Sequence, residues 1–202
     1  MPLWLDSRSL VLASKSNVRG KILAAAGLRF EIRPAEIDER AVETQAGATH
    51  AAAAARLLAR TKALTVAAQC PGQLVVGADQ TLALGNNRFC KPVDRAATRE
   101  QIRALRGRTH ELHSALAVAR EGAMLFDCVD TARLTMRQMS DRFIEDYLTM
   151  AGDAALHSVG GYQLERVGVH LFERIEGDYF TILGLPLLPL LAFLRKNGFI
   201  DG

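Results

Sequence analysis

Cysteine is scarce: Cys70, Cys90 and Cys128 are the three in 202 residues. Their odd number and irregular spacing argue against a disulfide framework or a clustered thiolate metal site, and suit a reducing compartment. Long apolar runs are missing as well. The alanine-rich stretch from Ala48 to Ala68 is broken by Arg56, Arg60 and Lys62, so nothing approaches the roughly 20 uninterrupted apolar residues that a bilayer span needs. The opening residues Met1-Pro2-Leu3-Trp4-Leu5-Asp6 lack a basic segment followed by an apolar core. No secretory leader is therefore expected, and the cytoplasm is the expected location. Charge of one sign is lacking too: 25 basic and 22 acidic residues leave a net +3, with aromatics at 6%. That dispersed balance argues against a nucleic-acid-binding face, and the net charge is too small to argue for an anionic membrane, though it leaves room for a local basic pocket. Repeats, low-complexity segments and dividing linkers are absent, so the expectation is a single domain over residues 1–202, with room for two lobes and a sizeable core.

What the chain does have is one organising stretch, Leu74-Val75-Val76-Gly77-Ala78-Asp79-Gln80. A short apolar run bounded by turn residues reads as a buried strand, and this one ends on a carboxylate. Thr81 to Leu84 continue extended, Gly85-Asn86-Asn87 supplies a turn, and Arg88-Phe89-Cys90-Lys91-Pro92 runs back. A hairpin centred on Asn86 sets Lys91 opposite Thr81, a diagonal step from Asp79. Taken alone, the stretch reads sooner as a turn aspartate beside a weak surface ion pair.

Elsewhere, Leu10-Val11-Leu12-Ala13 predicts a strand. Ser14-Lys15-Ser16-Asn17 then leads into a helix with Val18, Ile22, Leu23 and Ala26 inward and Gly27 as its stop. A hydroxyl-rich loop opening a helix presents free N–H groups to phosphate, and Arg19 adds a planar donor fork; Ser14 or Ser16 as a plain helix cap is the simpler alternative. Phe30 to Pro34 alternates like a strand, and Ile37-Asp38-Glu39-Arg40 reads as a polar turn whose acids would join Asp79 at a metal or stay solvated. An alanine-rich helix is predicted from an N-cap at Thr49 to about Ala68. Leu57, Leu58, Leu64 and Thr65 share its apolar sector, and Lys62 lies on the flank, either snorkelling to solvent or reaching into a cleft. A helix over Ala97–Arg106 follows, then strands over Leu112–Ala119 and Leu125–Met136 joined at Glu121-Gly122. His110 and His113 point to opposite faces, which argues against a shared metal. Ser140 caps a helix to about Met150, and Gly160-Gly161-Tyr162 leads past Glu165 to a strand near Val169–Phe172. Ile175 to Asp178 reads as a turn, Tyr179 to Leu183 as extended, and Pro186 as the opening of a terminal helix that ends at Gly198. The mixture of βα units and hairpins points to an α/β fold with a mixed sheet flanked by helices.

Seven of these stretches, in register over nearly the whole chain, resemble the Maf family, the septum-formation inhibitor-like nucleoside triphosphate pyrophosphatases. They are Leu12-Ala13-Ser14-Lys15-Ser16 with Arg19, Ile37-Asp38-Glu39, Lys62-Ala63, Gly77-Ala78-Asp79, Lys91-Pro92, Gly160-Gly161-Tyr162 and Gly184-Leu185-Pro186-Leu187. The resemblance implies a mixed central sheet flanked by helices, in two lobes with a cleft between them, akin to inosine triphosphatases. It also implies hydrolysis of the α–β phosphoanhydride of non-standard nucleotides with a divalent cation, magnesium, manganese or cobalt. By motif, Asp79 is the expected catalytic residue, as base or as metal ligand. Ser14, Arg19, Lys62 and Lys91 are expected to hold the triphosphate, and Glu39 to join Asp79 at the metal. Chemically this is apt, since a triphosphate needs cationic donors and a metal, and the attacking water needs a positioned carboxylate.

The chain departs from the usual family pattern where Asn17 and Val18 replace a proline and an arginine, where Gln80 follows Asp79, and where Glu165 stands for a frequent glutamine. Gln80 and Glu165 resemble the 7-methyl-GTP-hydrolysing branch more than the dTTP/UTP-preferring one. A carboxylate accepts the N1–H and amino hydrogens of a guanine edge, whereas a pyrimidine such as uracil offers one N–H. Val18 offers no aromatic surface for a methylated cationic base. The alternatives are a dTTP/UTP-preferring enzyme and a nucleotide-binding cell-division regulator whose turnover is incidental. A homodimer is expected from the resemblance alone.

Overall fold

A computed structural model describes residues 4–47 and 50–201. The expected cap at Thr49 and the residues Met1 to Leu3 lie outside the described residues. In chain order the elements are β1 (Leu10–Leu12), α1 (Asn17–Ala25), β2 (Phe30–Ile32), α2 (Glu39–Ala46), α3 (Ala51–Ala67), β3 (Val75–Leu84), β4 (Asn87–Phe89) and α4 (Arg95–Leu105). These are followed by β5 (Thr109–Arg120), β6 (Ala123–Met136), α5 (Asp141–Ala151), β7 (Phe172–Glu176), α6 (Tyr179–Ile182) and α7 (Leu187–Lys196). The strands form one sheet in the order β2-β1-β3-β5-β6-β7, with β4 on β3. It is mixed, as expected: β1 runs parallel to β2 and β3, while the β3–β4 and β6–β7 pairs are antiparallel. No helix among the described residues is long and apolar enough to cross a membrane.

The chain divides into two compact units. One holds the residues up to Gln80, Ser114–Asp130 and the segment from Gly184; the other holds Thr81–His113 and Thr131–Leu183. In the first, β1 lies between parallel neighbours and is buried throughout, which is why it reads as an unbroken apolar run rather than an alternating one. Its core cluster is built of small residues: Ala13, Ala55, Ala59, Ala63 and Ala67 with Val11, Val66 and Val75. The second unit is packed with large side chains, among them Leu82, Ile102, Leu105, Leu134, Met136, Ile144 and Tyr147.

Several local expectations change. Asp38 to Arg40 is no turn but a helix start: Asp38 accepts a hydrogen bond from the Ala41 N–H at 3.1 Å, and Gly47 closes α2 at φ +61°. The helix buries no residue, so it carries no apolar stripe to read. Tyr179 to Ile182 is helical rather than extended because Asp178 accepts from the Phe180 and Thr181 N–H groups. The final strand is Phe172–Glu176, where a turn was expected at its end, and Val167–Leu171 before it is a 3-10 turn. The hairpin register also slips by one. Leu82 pairs with Phe89, Ala83 with Arg88 and Leu84 with Asn87, so the loop is the two residues Gly85-Asn86, with Gly85 at φ +58°, as two-residue hairpins prefer. Lys91 falls two residues beyond the last pair, not opposite Thr81.

His110 and His113 do have separate surroundings, as their strand spacing implies. His113 Nδ1 meets Thr131 Oγ1 at 3.0 Å, while His110 Nε2 meets the Tyr162 hydroxyl at 2.7 Å inside the second unit's core. His110 Nδ1 is buried without a hydrogen-bond partner among the described residues, and burial pushes the imidazole down from 6.5 to about 4. Between those values the unfolded chain takes up a proton that the folded chain refuses, so stability falls as pH drops through that window. The full loss is on the order of 3 kcal/mol. Urea midpoints at pH 7 and 4.5 should differ less in His110→Gln, which keeps a partner for Tyr162 but does not titrate.

Candidate active site

The site grows from Asp79, which follows the fully buried Ala78 on β3 and is itself 8% exposed. Its carboxylate receives the Lys62 ammonium, Nζ to Oδ1 at 2.6 Å, and the same ammonium donates to Glu39 Oε1 at 2.7 Å. Missing side chains make this meeting feasible. A Cβ on Gly77 would lie 2.2 Å from the Ala59 carbonyl oxygen and 2.6 Å from the Ala63 nitrogen, so the backbones of β3 and α3 touch where any larger residue would hold them apart. The buried face of α3 is its alanine stripe with Leu58, Lys62 and Val66, not the expected leucine sector; Leu57 and Leu64 are half-buried. Lys62 therefore sits within the packed face and reaches inward. The polar turn of α2 brings Glu39, half-exposed, to the other side of the ammonium.

Arg19 forms the second half of the site. Its Nε donates to the Gly184 carbonyl at 2.7 Å, and its Nη1 donates both to Ser14 Oγ at 3.0 Å and to the Ala78 carbonyl at 2.9 Å. Ser14 Oγ also accepts the Ser16 N–H, and it is Ser16 that caps α1 by accepting from the Arg19 N–H. Burial raises the Asp79 carboxyl above its ordinary range, with Lys62 and Arg19 opposing and Glu39 adding to the rise. Burial lowers the Arg19 guanidinium below its ordinary value, against the pull of Asp79 and Glu39, and it stays cationic.

Ser14, Arg19, Lys62, Asp79, Glu39 and Gln80 thus belong to one unit, as does the half-buried Val18 on α1. Lys91, exposed beyond β4, and Glu165, exposed in the turn after Tyr162, belong to the other. Asp38 caps α2, its Oδ1 accepting the Ala41 N–H. The two groups that sequence reasoning missed are the Gly184 carbonyl and Ser114. Ser114 Oγ accepts the Gln80 amide at 2.9 Å; it is fully buried, and its mark in the sequence is a hydroxyl directly before the apolar run Ala115 to Ala119. Among the described residues no group of three or more acidic, histidine or cysteine side chains forms a metal cage. Two carboxylates converging on one ammonium nevertheless fit a magnesium-like cation, which is commonly held by one or two carboxylates with the rest of its shell from phosphate and water.

The chain is similar over nearly its whole length to known proteins. A protein of Rhodopseudomonas palustris (strain BisB18) named nucleoside triphosphate pyrophosphatase is 56% identical over 197 residues, 98% of each chain. One of the same name from Nitrobacter hamburgensis is 54% identical over 201 residues, the whole of both. A Rhizobium etli protein named 7-methyl-GTP pyrophosphatase is 53% identical over 196 residues, 96% of this chain and 98% of that one. The family model described as Maf-like protein matches residues 9–197. With that model spanning nearly the whole chain, from just before β1 to the end of α7, the chain belongs to the Maf family.

Proposed function

We propose that this protein is a nucleoside triphosphate pyrophosphatase that hydrolyses the α–β phosphoanhydride, releasing a nucleoside monophosphate and pyrophosphate. The observation that carries the reading is the buried Asp79 carboxylate at 2.6 Å from the Lys62 ammonium, in a chain whose relatives bear that activity's name. Water adds to phosphorus, its proton passes to the Asp79 carboxylate, and pyrophosphate departs as the bridging bond breaks. A carboxyl raised by burial lies nearer the working pH, where it is a better base. Asp79 and Glu39 would hold the divalent cation, which when bound neutralises phosphate charge and lowers the pKa of a coordinated water. Lys62 and Lys91 bring positive charge to the phosphates, and Ser14 supplies a hydroxyl donor.

On base preference, we propose the guanine class, 7-methyl-GTP among it, with the Glu165 carboxylate accepting the N1–H and amino hydrogens and Gln80 contributing its amide beside Asp79. The test is pyrophosphate release with magnesium, manganese or cobalt across 7-methyl-GTP, GTP, UTP, dTTP and 5-methyl-UTP. Glu165→Gln should lower kcat/KM for the guanine substrates about tenfold relative to the pyrimidines. Equal losses across the panel would remove Glu165 from base reading, and a wild-type preference for dTTP and UTP would place the enzyme in the other branch.

A further inference from the structure

A guanidinium near a triphosphate site is ordinarily assigned to gripping phosphate, which it does through one of its two bidentate edges, Nε with Nη2 or Nη1 with Nη2. Arg19 has neither edge intact. Its Nε–H is spent on the Gly184 carbonyl at 2.7 Å, and its Nη1 hydrogens go to Ser14 Oγ at 3.0 Å and the Ala78 carbonyl at 2.9 Å. One nitrogen of each edge is already occupied by the protein, and three of the five N–H donors are taken. The three acceptors come from three separate segments: the loop after β1, the strand residue directly before Asp79, and the turn that precedes α7. Gly184 adopts φ +92°, and a Cβ there would sit in ordinary contact with the Arg19 Nη2, at 3.5 Å.

We infer that Arg19 is a positioning residue: it staples the Ser14 loop, the Ala78–Asp79 backbone and the Gly184 turn together, and substrate phosphate is held by other groups. The inference deepens the pyrophosphatase reading of the Asp79 site and rests on it for its kinetic consequences. A misplacement of the reacting carboxylate by about 1 Å costs roughly 100-fold in rate, so the staple governs turnover rather than affinity. Lysine cannot replace it, because one ammonium on a flexible stem cannot serve three acceptors in these directions.

The experiment compares Arg19→Met, Arg19→Gln and Arg19→Lys with wild type. It reads kcat from pyrophosphate release, the Kd of a non-hydrolysable α,β-methylene nucleoside triphosphate, and amide hydrogen exchange without nucleotide. The staple predicts a kcat about 100-fold lower in Arg19→Met, a Kd within about threefold of wild type, no rescue by Arg19→Lys, and faster exchange across residues 13–16 and 183–185. A Kd raised tenfold or more, or restoration by lysine, overturns it in favour of a phosphate grip, and an unchanged kcat overturns it outright. Should Arg19→Met not fold, Arg19→Gln, which keeps one donor group, carries the same comparison. If the wild-type protein releases no pyrophosphate from any substrate, the proposed function fails while the exchange arm still decides the staple: unchanged exchange in both segments overturns it.

Discussion

Asp79→Asn is expected to lower kcat for pyrophosphate release by about 1,000-fold, within the range lost when a positioned acid or base is removed. The asparagine keeps the size and shape of the side chain, so the comparison isolates the charge and the ability to take a proton. Lys62 retains Glu39 as an ionic partner at 2.7 Å, and the desolvation that raises the Asp79 carboxyl no longer opposes folding. Thermal melting should therefore change little while turnover collapses. A variant that turns over at the wild-type rate would strip Asp79 of its catalytic role, and with it the chemistry proposed for the site.

Lys62→Met is expected to destabilise the metal-free protein by about 3 kcal/mol, because it leaves Asp79 buried without its nearest cation. Both side chains of the pair are about nine-tenths covered, at 10% and 11% exposure, so solvent cannot take over the ammonium's part. Arg19 remains as the second cation acting on Asp79 and limits the loss. Adding Asp79→Asn to Lys62→Met should recover most of it, and urea unfolding of the four proteins at pH 7 gives the coupling energy directly. The pH dependence follows from the direction of the Asp79 shift. A carboxyl whose folded pKa lies above its unfolded value binds its proton more tightly in the folded chain, so the penalty in Lys62→Met should shrink as pH falls through the folded value and persist above it. Additive losses in the double variant would mean that the 2.6 Å contact is energetically idle.

Much of the frame was legible along the chain because its signals are local. β1 and β3 announce themselves as apolar runs, α5 as an amphipathic segment capped by Ser140, whose hydroxyl oxygen accepts the Phe143 N–H at 3.2 Å, and the β5–β6 turn as Glu121-Gly122, both with positive φ. The misreadings at α2 and α6 share one cause: these elements are held by a cap rather than by a buried stripe. In α2 and α6 an aspartate side chain supplies the missing acceptor for the first turn, and hydrophobic periodicity over four to eight residues has no power to reveal that. The hairpin slipped because Gly85-Asn86-Asn87 supports either of two centres, and the register is set by which residue adopts the left-handed conformation.

For the site, the linear order determined which residue types were available and that Asp79 belongs to a buried strand; it does not end that strand as read, because β3 runs on past it to Leu84. Where Lys62 and Arg19 would spend their charge was decided by tertiary packing. In an alanine-rich helix nearly every face is apolar enough to bury, so periodicity ranked the leucines first. The face that packs is instead the one thin enough to let the α3 backbone settle on Gly77, and Lys62 is carried with it to Asp79. Arg19 likewise offered the same fork to phosphate or to protein. The contact is settled by carbonyls at Ala78 and Gly184, 59 and 165 residues away in sequence, because an acceptor's position is a property of the folded backbone and leaves no mark on the residue that will find it.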